Sequence, residues 1–457
     1  MIRNYTITMK NIGLLVDVET LIDSGVGGSE KIESYLAKNL TEKYEDIYII
    51  PKLRDFYLFN NHDLVDKLKT YRVIAWDRLK DRDINNIEYM VKYIINEINS
   101  FQINLLIDLH YDPGTYYQNI INAGIKNFSD NLLLRFGEIV YLTSKCKIKG
   151  AILLQAEGLN KISFGIPSLV FGSILSRYRK KLPFDIFINN KNKIHYTVKK
   201  GILEWSLIKI VSEIPRIVRI YGLSEGQFVN LGLSRSKKIK LIDPPFGIPY
   251  DLEKYKDFRK SNIDKEDYLV YYARMLPLKG IIELPYIIYE IKKKKRDIKL
   301  YTMGYFGHKD LEDLFYSKIK ELGLKDNIIH LGFMNNANRV KQFDIISRAK
   351  AFIYPTHEDS FSLSILESIY LRTPVITYDL LGPKSVYQMV PLVGFIKEFD
   401  YIEMAVEVNK ILEMNNAQYN SFISDPRIDQ FLEKFTKHDS IIQKYYDDFQ
   451  LLLGRRE

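Results

Sequence analysis

The stretch around Tyr354 to Asp379 constrains the fold most, because it combines two apolar runs, a polar loop and a helical pattern. Residues 351–354 and 375–377 are short apolar runs that suit buried strands. Four residues between them recur at helical spacing: Leu363, Leu366, Ile369 and Tyr370. In an open parallel sheet, the loop after a strand and the start of the following helix form the usual ligand site. We therefore expect a ligand near the polar loop 356–360.

Two carboxylates lie on either side of this helix start, Asp359 in the loop and Glu367 eight residues later. Asp359 has a structural alternative as the N-cap of a helix at 362–371, since aspartate is a favoured capping residue. Glu367 has a structural alternative as an ordinary glutamate on the helix surface. The local pattern leaves each carboxylate open between a structural role and ligand binding.

Short apolar runs and helical segments alternate along the whole chain, which predicts an α/β fold with parallel sheets covered by helices on both faces. The predicted strands of the first half are 11–17, 47–50, 73–76, 103–109, 151–154, 217–221 and 238–242. Those of the second half are 268–273, 300–303, 328–331, 351–354, 375–377 and 393–396. Helices are predicted near 84–98, 281–291, 309–322, 336–348, 401–413, 427–434 and 439–453, among others.

A cluster of chain breakers at 243–249 separates the two halves, and a charged segment poor in aliphatic residues follows it. A chain of 457 residues also suggests two domains. The predicted domains are 1–245 and 246–436, followed by a C-terminal helix at 437–457. The inner face of that helix is predicted to contain Ile441, Ile442, Tyr445 and Phe449.

The formal net charge of +9 is spread along the chain and favours anionic partners such as nucleotides, phosphates or an acidic membrane surface. A nucleic-acid binder is disfavoured, because no single face-forming segment concentrates the charge. Cys146 is the single cysteine, so no internal disulfide can form. The first residues lack a signal-peptide core, and no apolar run is long enough to span a bilayer. A cytoplasmic protein is expected.

Three local motifs keep two interpretations each. Gly25, Gly27 and Gly28 follow the first predicted strand and suit either a phosphate cradle or a plain strand-to-helix turn. The Asp81–Asp83 motif resembles a metal-binding pair, but Asp83 is better placed as a helix N-cap. The charge-free segment 162–175, followed by basic residues up to 181, could lie at a membrane surface, although a buried core helix is favoured.

Several motifs, in a fixed order, resemble those of retaining nucleotide-sugar glycosyltransferases with the GT-B fold, in glycosyltransferase family four (group 1 glycosyl transferases). The matching segments are GVGGSE at 25–30, LIDPPFGIP at 241–249, ARMLPLKG at 273–280, NIIHLGFM at 327–334 and PTHEDSFSLSILES at 355–368. The resemblance implies two Rossmann-like doubly wound domains facing a cleft, the first binding an acceptor and the second a nucleotide sugar. It also implies that the C-terminal helix returns to the first domain.

The resemblance implies a role for each matching residue. Arg274 and Lys279 would bind the donor diphosphate, a role that suits their charge. Glu367 would bind the ribose hydroxyls, and Asp359 a hydroxyl of the transferred sugar. The remaining donor-binding candidates are Gly27, Gly28, Phe333, Met334, Ser360, Phe361 and Ser362. The implied reaction retains the anomeric configuration and needs neither a metal nor another cofactor, and no His, Cys and Asp cluster with metal-ligand spacing is evident in the sequence.

The sequence departs from the family pattern at several positions. Ser360 and Ser362 replace two glycines, Asp359 replaces a glutamate, and Arg372 replaces a further glycine. The family histidine after the strand 151–154 has no match; Gln155 and Glu157 occupy that region. His110, at the end of an earlier strand, is a further acceptor-side candidate, although a lone histidine is more often structural.

These departures leave a second class open, a non-catalytic GT-B protein that binds nucleotide sugars or serves as a scaffold. A phosphorylase or synthase on the same fold is a third class, and the absence of a clear cofactor-lysine motif argues against the phosphorylase. The expected partners of the favoured enzyme are a UDP- or GDP-sugar donor and a glycan or lipid-linked acceptor. Peripheral contact with the inner face of a membrane through 162–181 is the accompanying expectation.

Overall fold

The computed structural model describes residues 10–22, 28–53, 55, 68, 71–74, 87–111, 136–155, 176, 179–180, 185, 187–188, 202, 205–248, 265–295, 297–334 and 338–454. Some sequence predictions concern positions outside these ranges: Gly25, Gly27, Asp81, Asp83, Glu157 and the charge-free segment 162–175. The following description concerns the residues within them.

The first domain contains a six-stranded parallel sheet. Its strands are β1 (Asn11–Val16), β2 (Ile47–Pro51), β3 (Ile103–Tyr111), β4 (Lys149–Leu154), β5 (Ile217–Gly222) and β6 (Ile239–Leu241), in the order β2-β1-β3-β4-β5-β6. The helices described for it are α1 (Val18–Ile22), α2 (Gly28–Lys43), α3 (Ile87–Ser100), α4 (Glu138–Cys146) and α5 (Glu225–Asn230). The central strands are apolar along almost their whole length, because helices cover both faces.

The second domain contains another six-stranded parallel sheet. Its strands are β7 (Glu266–Tyr272), β8 (Lys299–Met303), β9 (Ile328–His330), β10 (Ala349–Tyr354), β11 (Val375–Tyr378) and β12 (Val393–Ile396). Their order, β12-β11-β10-β7-β8-β9, is that of a Rossmann sheet, with the switch point between β7 and β10. The predicted doubly wound α/β fold is confirmed.

Helices of the second half follow the predicted pattern. They are α6 (Leu284–Lys292), α7 (Lys309–Glu321), α8 (Arg339–Arg348), α9 (Leu363–Tyr370), α10 (Leu381–Tyr387), α11 (Tyr401–Leu412), α12 (Asn416–Ile423), α13 (Pro426–Thr436) and α14 (His438–Leu453). The helix predicted at 281–291 begins only at Leu284, because Pro277–Lys279 forms a separate 3₁₀ turn. No helix in the described ranges is both long and apolar enough to cross a membrane.

Helix α14 returns to the first domain, as predicted. All four residues of its predicted inner face are buried. The Asp448 carboxylate accepts a hydrogen bond from the Tyr221 hydroxyl on β5 at 2.6 Å and pairs with Arg219 at 2.9 Å. The Tyr446 ring stacks on Tyr44 at the end of α2, with 3.6 Å between the ring centroids. The exact boundaries proposed at 245/246 and 436/437 stay predictions.

One predicted strand, 73–76, is wrong where the structure describes it. Val73 forms a single isolated bridge to Ile49 on β2, and Ile74 already belongs to a turn. The apolar pair is nevertheless anchored, since the Ile74 amide donates a hydrogen bond to the Ile49 carbonyl at 2.8 Å. Burial of a few apolar residues against the edge of a sheet produces the same local pattern as a strand.

Candidate donor and acceptor site

The carboxyl edges of the two sheets meet at the loop 355–362. The Ser360 hydroxyl donates a hydrogen bond to the Gln155 carbonyl after β4 at 3.3 Å. The Ser224 hydroxyl, at the start of α5, donates to the Ser360 carbonyl at 2.5 Å. At the start of α2, a Cβ added to Gly28 would lie 3.5 Å from the Leu363 Cβ. The predicted ligand loop therefore lies directly between the domains.

Arg274 and Lys279 lie on one loop after β7, in different environments. The Tyr271 hydroxyl holds this loop, donating to the Arg274 carbonyl at 3.2 Å and the Lys279 carbonyl at 3.0 Å. The Lys279 ammonium donates to the Glu358 carbonyl at 2.6 Å and pairs with Asp359 at 3.2 Å. Arg274 is exposed, and its guanidinium makes no ion pair or hydrogen bond with the described residues. It is therefore available to an anion.

Gly280 ends this loop in the left-handed backbone region, with φ of 76°. A Cβ at this position would lie 2.1 Å from the Pro355 carbonyl oxygen, so only glycine lets the two loops touch. The His357 amide completes the contact by donating to the Leu278 carbonyl at 2.8 Å. Because Gly280 follows Lys279 directly, the loop that contains Arg274 and Lys279 packs against the loop 355–362, which contains Asp359.

Asp359 faces this basic loop and does not cap the helix. Besides Lys279, it accepts a hydrogen bond from the Tyr354 hydroxyl at 2.6 Å. The N-cap of α9 is Ser362, whose side chain makes no capping bond and whose φ is 68°. The capping alternative for Asp359 is therefore wrong. Ser362 occupies a conformation that glycine adopts with less strain.

Phe361, between the two serines, is buried and anchors the loop. Its ring packs edge-on against Phe246 in the segment joining the domains, with centroids 4.8 Å apart, and against Tyr387 on α10 at 5.5 Å. The Phe361 side chain therefore serves as a hydrophobic anchor, and only its backbone remains available to a ligand.

Glu367 is buried, so the helix-surface alternative is wrong. Its Oε1 accepts a hydrogen bond from the Arg339 guanidinium on α8 and lies 3.5 Å from the Lys31 ammonium on α2. Its side chain is only 4% exposed. Oε2 accepts no hydrogen bond from the described residues. One carboxylate oxygen is thus fixed by two cations, and the other is available to a hydroxyl.

Phe333 and Met334 follow β9, at the same carboxyl edge. The Phe333 ring is 39% exposed and packs edge-on against Tyr305, with centroids 5.7 Å apart. Tyr305 follows β8 and is 44% exposed. The two loops are joined by the Gly304 amide, which donates to the Gly332 carbonyl at 2.9 Å. Sequence reasoning missed Tyr305, which lies directly after a predicted strand.

His110 lies in a charged cluster at the carboxyl ends of β1, β2 and β3. Its Nδ1 is 3.5 Å from both Asp17 and Glu33. Burial disfavours the charged imidazolium, but contacts with these two carboxylates outweigh burial and raise the pKa of His110 to about 10. The Lys52 ammonium lies 3.5 Å from Asp17 and 3.8 Å from Glu33.

Sequence reasoning identified His110 but missed its partners. Asp17 and Lys52 each come directly after a strand, so the end of each strand was the available signal. Glu33 is fully buried on the inner face of α2, in a position that helical periodicity assigns to an apolar residue. Burial, followed by repulsion from Asp17, raises the pKa of Glu33 above its usual range. These residues form one electrostatic unit.

Three atoms of this cluster lie within 4.8 Å of one another and could hold a metal ion: Asp17 Oδ2, Glu33 Oε2 and His110 Nδ1. No other group of this kind occurs in the described ranges. The Lys52 ammonium and the protonated His110 already supply positive charge to the two carboxylates. A metal cation bound there would have to approach these two positive groups closely. The donor set therefore fits a proton better than a metal.

Gln155 connects β3 of the first domain to the loop 355–362 of the second. Its amide nitrogen donates to the Leu109 carbonyl on β3 at 3.0 Å, and its own carbonyl accepts from Ser360. The Gln155 Oε1 atom is buried and makes no hydrogen bond with the described residues. Gln155 and His110 therefore share one edge of the cleft, opposite Ser360.

A second buried histidine was not anticipated. His357 Nδ1 lies 2.8 Å from Glu398, and its Nε2 lies 2.6 Å from Glu283 at the start of α6. Burial disfavours the imidazolium, but the two glutamates outweigh it and raise the pKa of His357 to about 10. The His357 ring also stacks on Phe399, with centroids 4.5 Å apart. The contacts of His357 with Glu283 and Glu398 tie the loop 355–362 to two other segments of the second domain.

Comparisons with known proteins agree with this arrangement. Residues 253–425 match the family model described as glycosyl transferases group 1. No curated protein matches the sequence. Among solved structures, a glycosyltransferase from Rickettsia africae has 14% identity and a TM-score of 0.58, with 98% of this chain and 100% of that chain covered.

Two further solved structures have the same fold. HepE of Anabaena in complex with UDP-glucose has 12% identity and a TM-score of 0.59, covering 96% of this chain and 99% of that chain. Sucrose-phosphate synthase of Thermosynechococcus elongatus has 12% identity and a TM-score of 0.59, covering 98% and 100%. Residues 253–425 thus match the group 1 glycosyltransferases, and the chain as a whole resembles GT-B glycosyltransferases, as its motifs predict.

Proposed function

We propose that the protein is a retaining, metal-independent glycosyltransferase that moves a hexose from a nucleotide-diphosphate sugar to a hydroxyl acceptor. The observation that carries this proposal is the exposed Arg274 guanidinium, which pairs with no described residue and lies on the same loop as Lys279, against the carboxylate loop of the second domain. The family match over residues 253–425 supports the reaction class. UDP or GDP is the proposed nucleotide; HepE of Anabaena, of the same fold, was solved with UDP-glucose.

The donor diphosphate is proposed to bind Arg274 and Lys279. A guanidinium can hold two phosphate oxygens at once, and an ammonium adds a point charge. The starts of α2 and α9, at Gly28 and Leu363, face each other and offer backbone N–H groups and positive helix ends. These positive groups supply the charge that a metal would otherwise supply to the leaving group.

The nucleoside is proposed to bind beside Glu367. The available Oε2 atom of this carboxylate suits the two hydroxyls of a ribose. Phe333 and Tyr305 offer exposed rings for the base, and the backbone at Phe333 and Met334 offers hydrogen-bonding groups. The proposed path along the cleft therefore runs from the base at β8 and β9 to the diphosphate at the start of α9.

The transfer itself breaks the bond between the anomeric carbon and the diphosphate oxygen, and forms a bond to the acceptor oxygen on the same face. The acceptor proton passes to the departing phosphate oxygen. Negative charge grows on that oxygen in the transition state, so Arg274 and Lys279 stabilise it more strongly than the ground state. Asp359 is proposed to hold a sugar hydroxyl, with Lys279 and Tyr354 fixing its orientation.

The acceptor is proposed to enter along the first domain, beside His110 and Gln155. His110 carries a proton and has a partly exposed edge, so it can donate a hydrogen bond to a sugar or acceptor hydroxyl. A glycan, glycolipid or polyprenyl-linked sugar is the proposed acceptor. A cytoplasmic protein acting at the inner face of a membrane is the corresponding proposal for its location.

The proposal is tested by nucleotide release from UDP-glucose and from GDP-mannose, with and without simple sugar acceptors. Arg274→Ala should lower kcat/KM on the preferred donor by about 100-fold or more, the usual effect of removing one charge-stabilising group. Arg348→Ala is the matched control, because Arg348 is an exposed arginine on α8 that pairs with Asp344 at 2.9 Å. Arg348→Ala should leave the rate unchanged.

Two outcomes separate the alternatives. A protein that binds UDP or GDP but cleaves no donor would be the non-catalytic GT-B protein. A wild-type rate equal to that of Arg274→Ala on every active donor would contradict the assigned role of this arginine.

A further inference from the structure

Lys31 makes an ion pair across the two domains. It lies on α2 of the first domain, and its ammonium is 3.5 Å from Glu367 Oε1 on α9 of the second. The two side chains are 13% and 4% exposed, so water screens this pair much less than a surface pair. One helical turn earlier, a Cβ added to Gly28 would lie 3.5 Å from the Leu363 Cβ at the start of α9, so the two helix starts lie close together.

Arg339 already fixes the same carboxylate from within the second domain. Its guanidinium donates to Glu367 Oε1 and to Gln342, and it lies over the Phe343 ring at 4.1 Å. Arg339 is itself buried. These contacts do not depend on the first domain, so Arg339 can orient Glu367 whether the cleft is open or closed. The ion pair between Lys31 and Glu367, in contrast, forms only when the two domains lie close together.

The contacts around Lys31 place several positive groups at the domain boundary. The starts of α2 and α9 are both positive helix ends, and they lie near each other at Gly28 and Leu363. Lys31 and Arg339 carry two positive charges beside the Glu367 carboxylate. The ion pair of Lys31 with Glu367 favours closure without a ligand, and a negative ligand among these positive groups favours closure further. A nucleoside diphosphate supplies that charge.

We propose that Lys31 is a cross-domain positioning residue, whose ion pair with Glu367 forms on cleft closure and couples closure to the bound nucleoside diphosphate. The coupling to a nucleotide rests on the proposed function; the closing contact itself does not. Both cations approach Oε1, so the pair leaves Oε2 available to the ribose. Lys31 therefore acts through Glu367 and the position of α2.

Small-angle X-ray scattering of the full chain without ligand tests the closing contact. Lys31→Glu places a carboxylate against Glu367 and should open the cleft, seen as a larger radius of gyration than that of the wild type. Lys31→Arg should keep the wild-type value. The matched control is Lys43→Glu on the same helix, because Lys43 pairs at 3.0 Å with the exposed Asp439 and does not contact the second domain's sheet region. It should also keep the wild-type value. An unchanged radius for Lys31→Glu would overturn the proposal.

Kinetics of Lys31→Met on UDP-glucose and GDP-mannose test the coupling. We expect kcat to fall about tenfold or more and the dissociation constant of UDP or GDP to rise, because closure and nucleotide binding are coupled, and we expect Lys31→Arg to recover most of both. Tighter nucleotide binding by Lys31→Met would show that Lys31 competes with the nucleotide, and an unchanged kcat would show no coupling; either would overturn the proposal. If the wild type bound neither UDP nor GDP, the proposed function would fail while the scattering experiment still decided the closing contact.

Discussion

Among the described residues, each domain has a histidine between two carboxylates, His357 buried and His110 partly exposed, and the two clusters differ in how much of the histidine ring is already bonded. In both, the carboxylates outweigh burial and raise the histidine pKa to about 10. His357, in the second domain, uses both ring nitrogens, at 2.8 and 2.6 Å, and its side chain is 3% exposed. It has no capacity left for a ligand.

His110, in the first domain, has the same type of partners at longer distance. Its Nδ1 lies 3.5 Å from each carboxylate, and its side chain is 16% exposed. Its Nε2 makes no hydrogen bond with any described residue. The two clusters share the same residue types and charges, and they differ in whether a polar atom of the histidine is still available at the edge of the cleft. The proposal that His110, and not His357, contacts a ligand rests on that difference.

The largest effect is expected from breaking the satisfied cluster. His357→Gln removes the positive charge that lies between the buried carboxylates of Glu283 and Glu398, and such a loss typically costs about 3–5 kcal/mol in the free energy of unfolding. Urea unfolding of the purified variant measures it. His330→Gln is the control, since His330 is only half-buried and bonds a single hydroxyl, that of Thr302. A His357→Gln variant no less stable than His330→Gln would contradict the structural role.

A smaller effect, on activity rather than stability, is expected in the other cluster. His110→Gln keeps Lys52 beside the same two carboxylates, so we expect a loss of only about 1 kcal/mol in stability. Donor cleavage in the presence of an acceptor should fall about 10- to 100-fold, the value of one hydrogen bond from a charged donor. Steady-state kinetics at saturating donor measures it. If His110→Gln left the kinetics unchanged and caused a large loss of stability, the His110 cluster would have the same structural role as the His357 cluster.

The last effect, graded with pH, is the pH dependence of the stability that the His357 cluster contributes. Its folded pKa of about 10 lies above the unfolded value of 6.5, so its stabilisation is complete below pH 6.5 and is lost as pH rises through 10. The stability difference between wild type and His357→Gln should therefore shrink across this range, by at most about 1.4 kcal/mol per pH unit. Unfolding curves at pH 6, 8 and 10 measure it; a constant difference would exclude a charged His357.

The sequence predicted the parallel sheets well, because strands buried on both faces give continuous apolar runs whatever their partners are. The loop at the carboxyl end of β10 was likewise predicted, since it follows from strand, loop and helix order alone. The failure at Val73 and Ile74 marks the limit of this reasoning: two apolar residues anchored to the sheet edge resemble a strand locally.

At two positions where the sequence departs from the family pattern, the backbone conformation shows why glycine suits the position, and a single sequence does not reveal this. Ser362 and Arg372, which replace glycines, both have positive φ, of 68° and 58°. Each costs on the order of 1 kcal/mol relative to glycine. For Arg372 the structure supplies a compensating contact, an ion pair with Asp429 at 2.6 Å.

The charged partners of the candidate site were the least predictable part. Glu367 pairs with Lys31 and Arg339, which are far from it in sequence, and His357 is held by Glu283 and Glu398. Local patterns describe neighbours along one element, whereas these contacts depend on how two sheets and two domains pack. Two signals were available: the strand ends that position Asp17 and Lys52, and a charged residue at an apolar helical position, as at Glu33.

The most direct test of the central claim is the thermal stability of the wild-type protein with UDP, GDP and ADP, each compared with its nucleoside. A site built from Arg274, Lys279 and Glu367 predicts that UDP or GDP at about 100 times its dissociation constant stabilises the protein by about 2.7 kcal/mol, raising Tm by several degrees. The matching nucleoside, which lacks the diphosphate, should do far less. If no nucleoside diphosphate at millimolar concentration raises Tm more than its nucleoside, the proposed donor site is wrong.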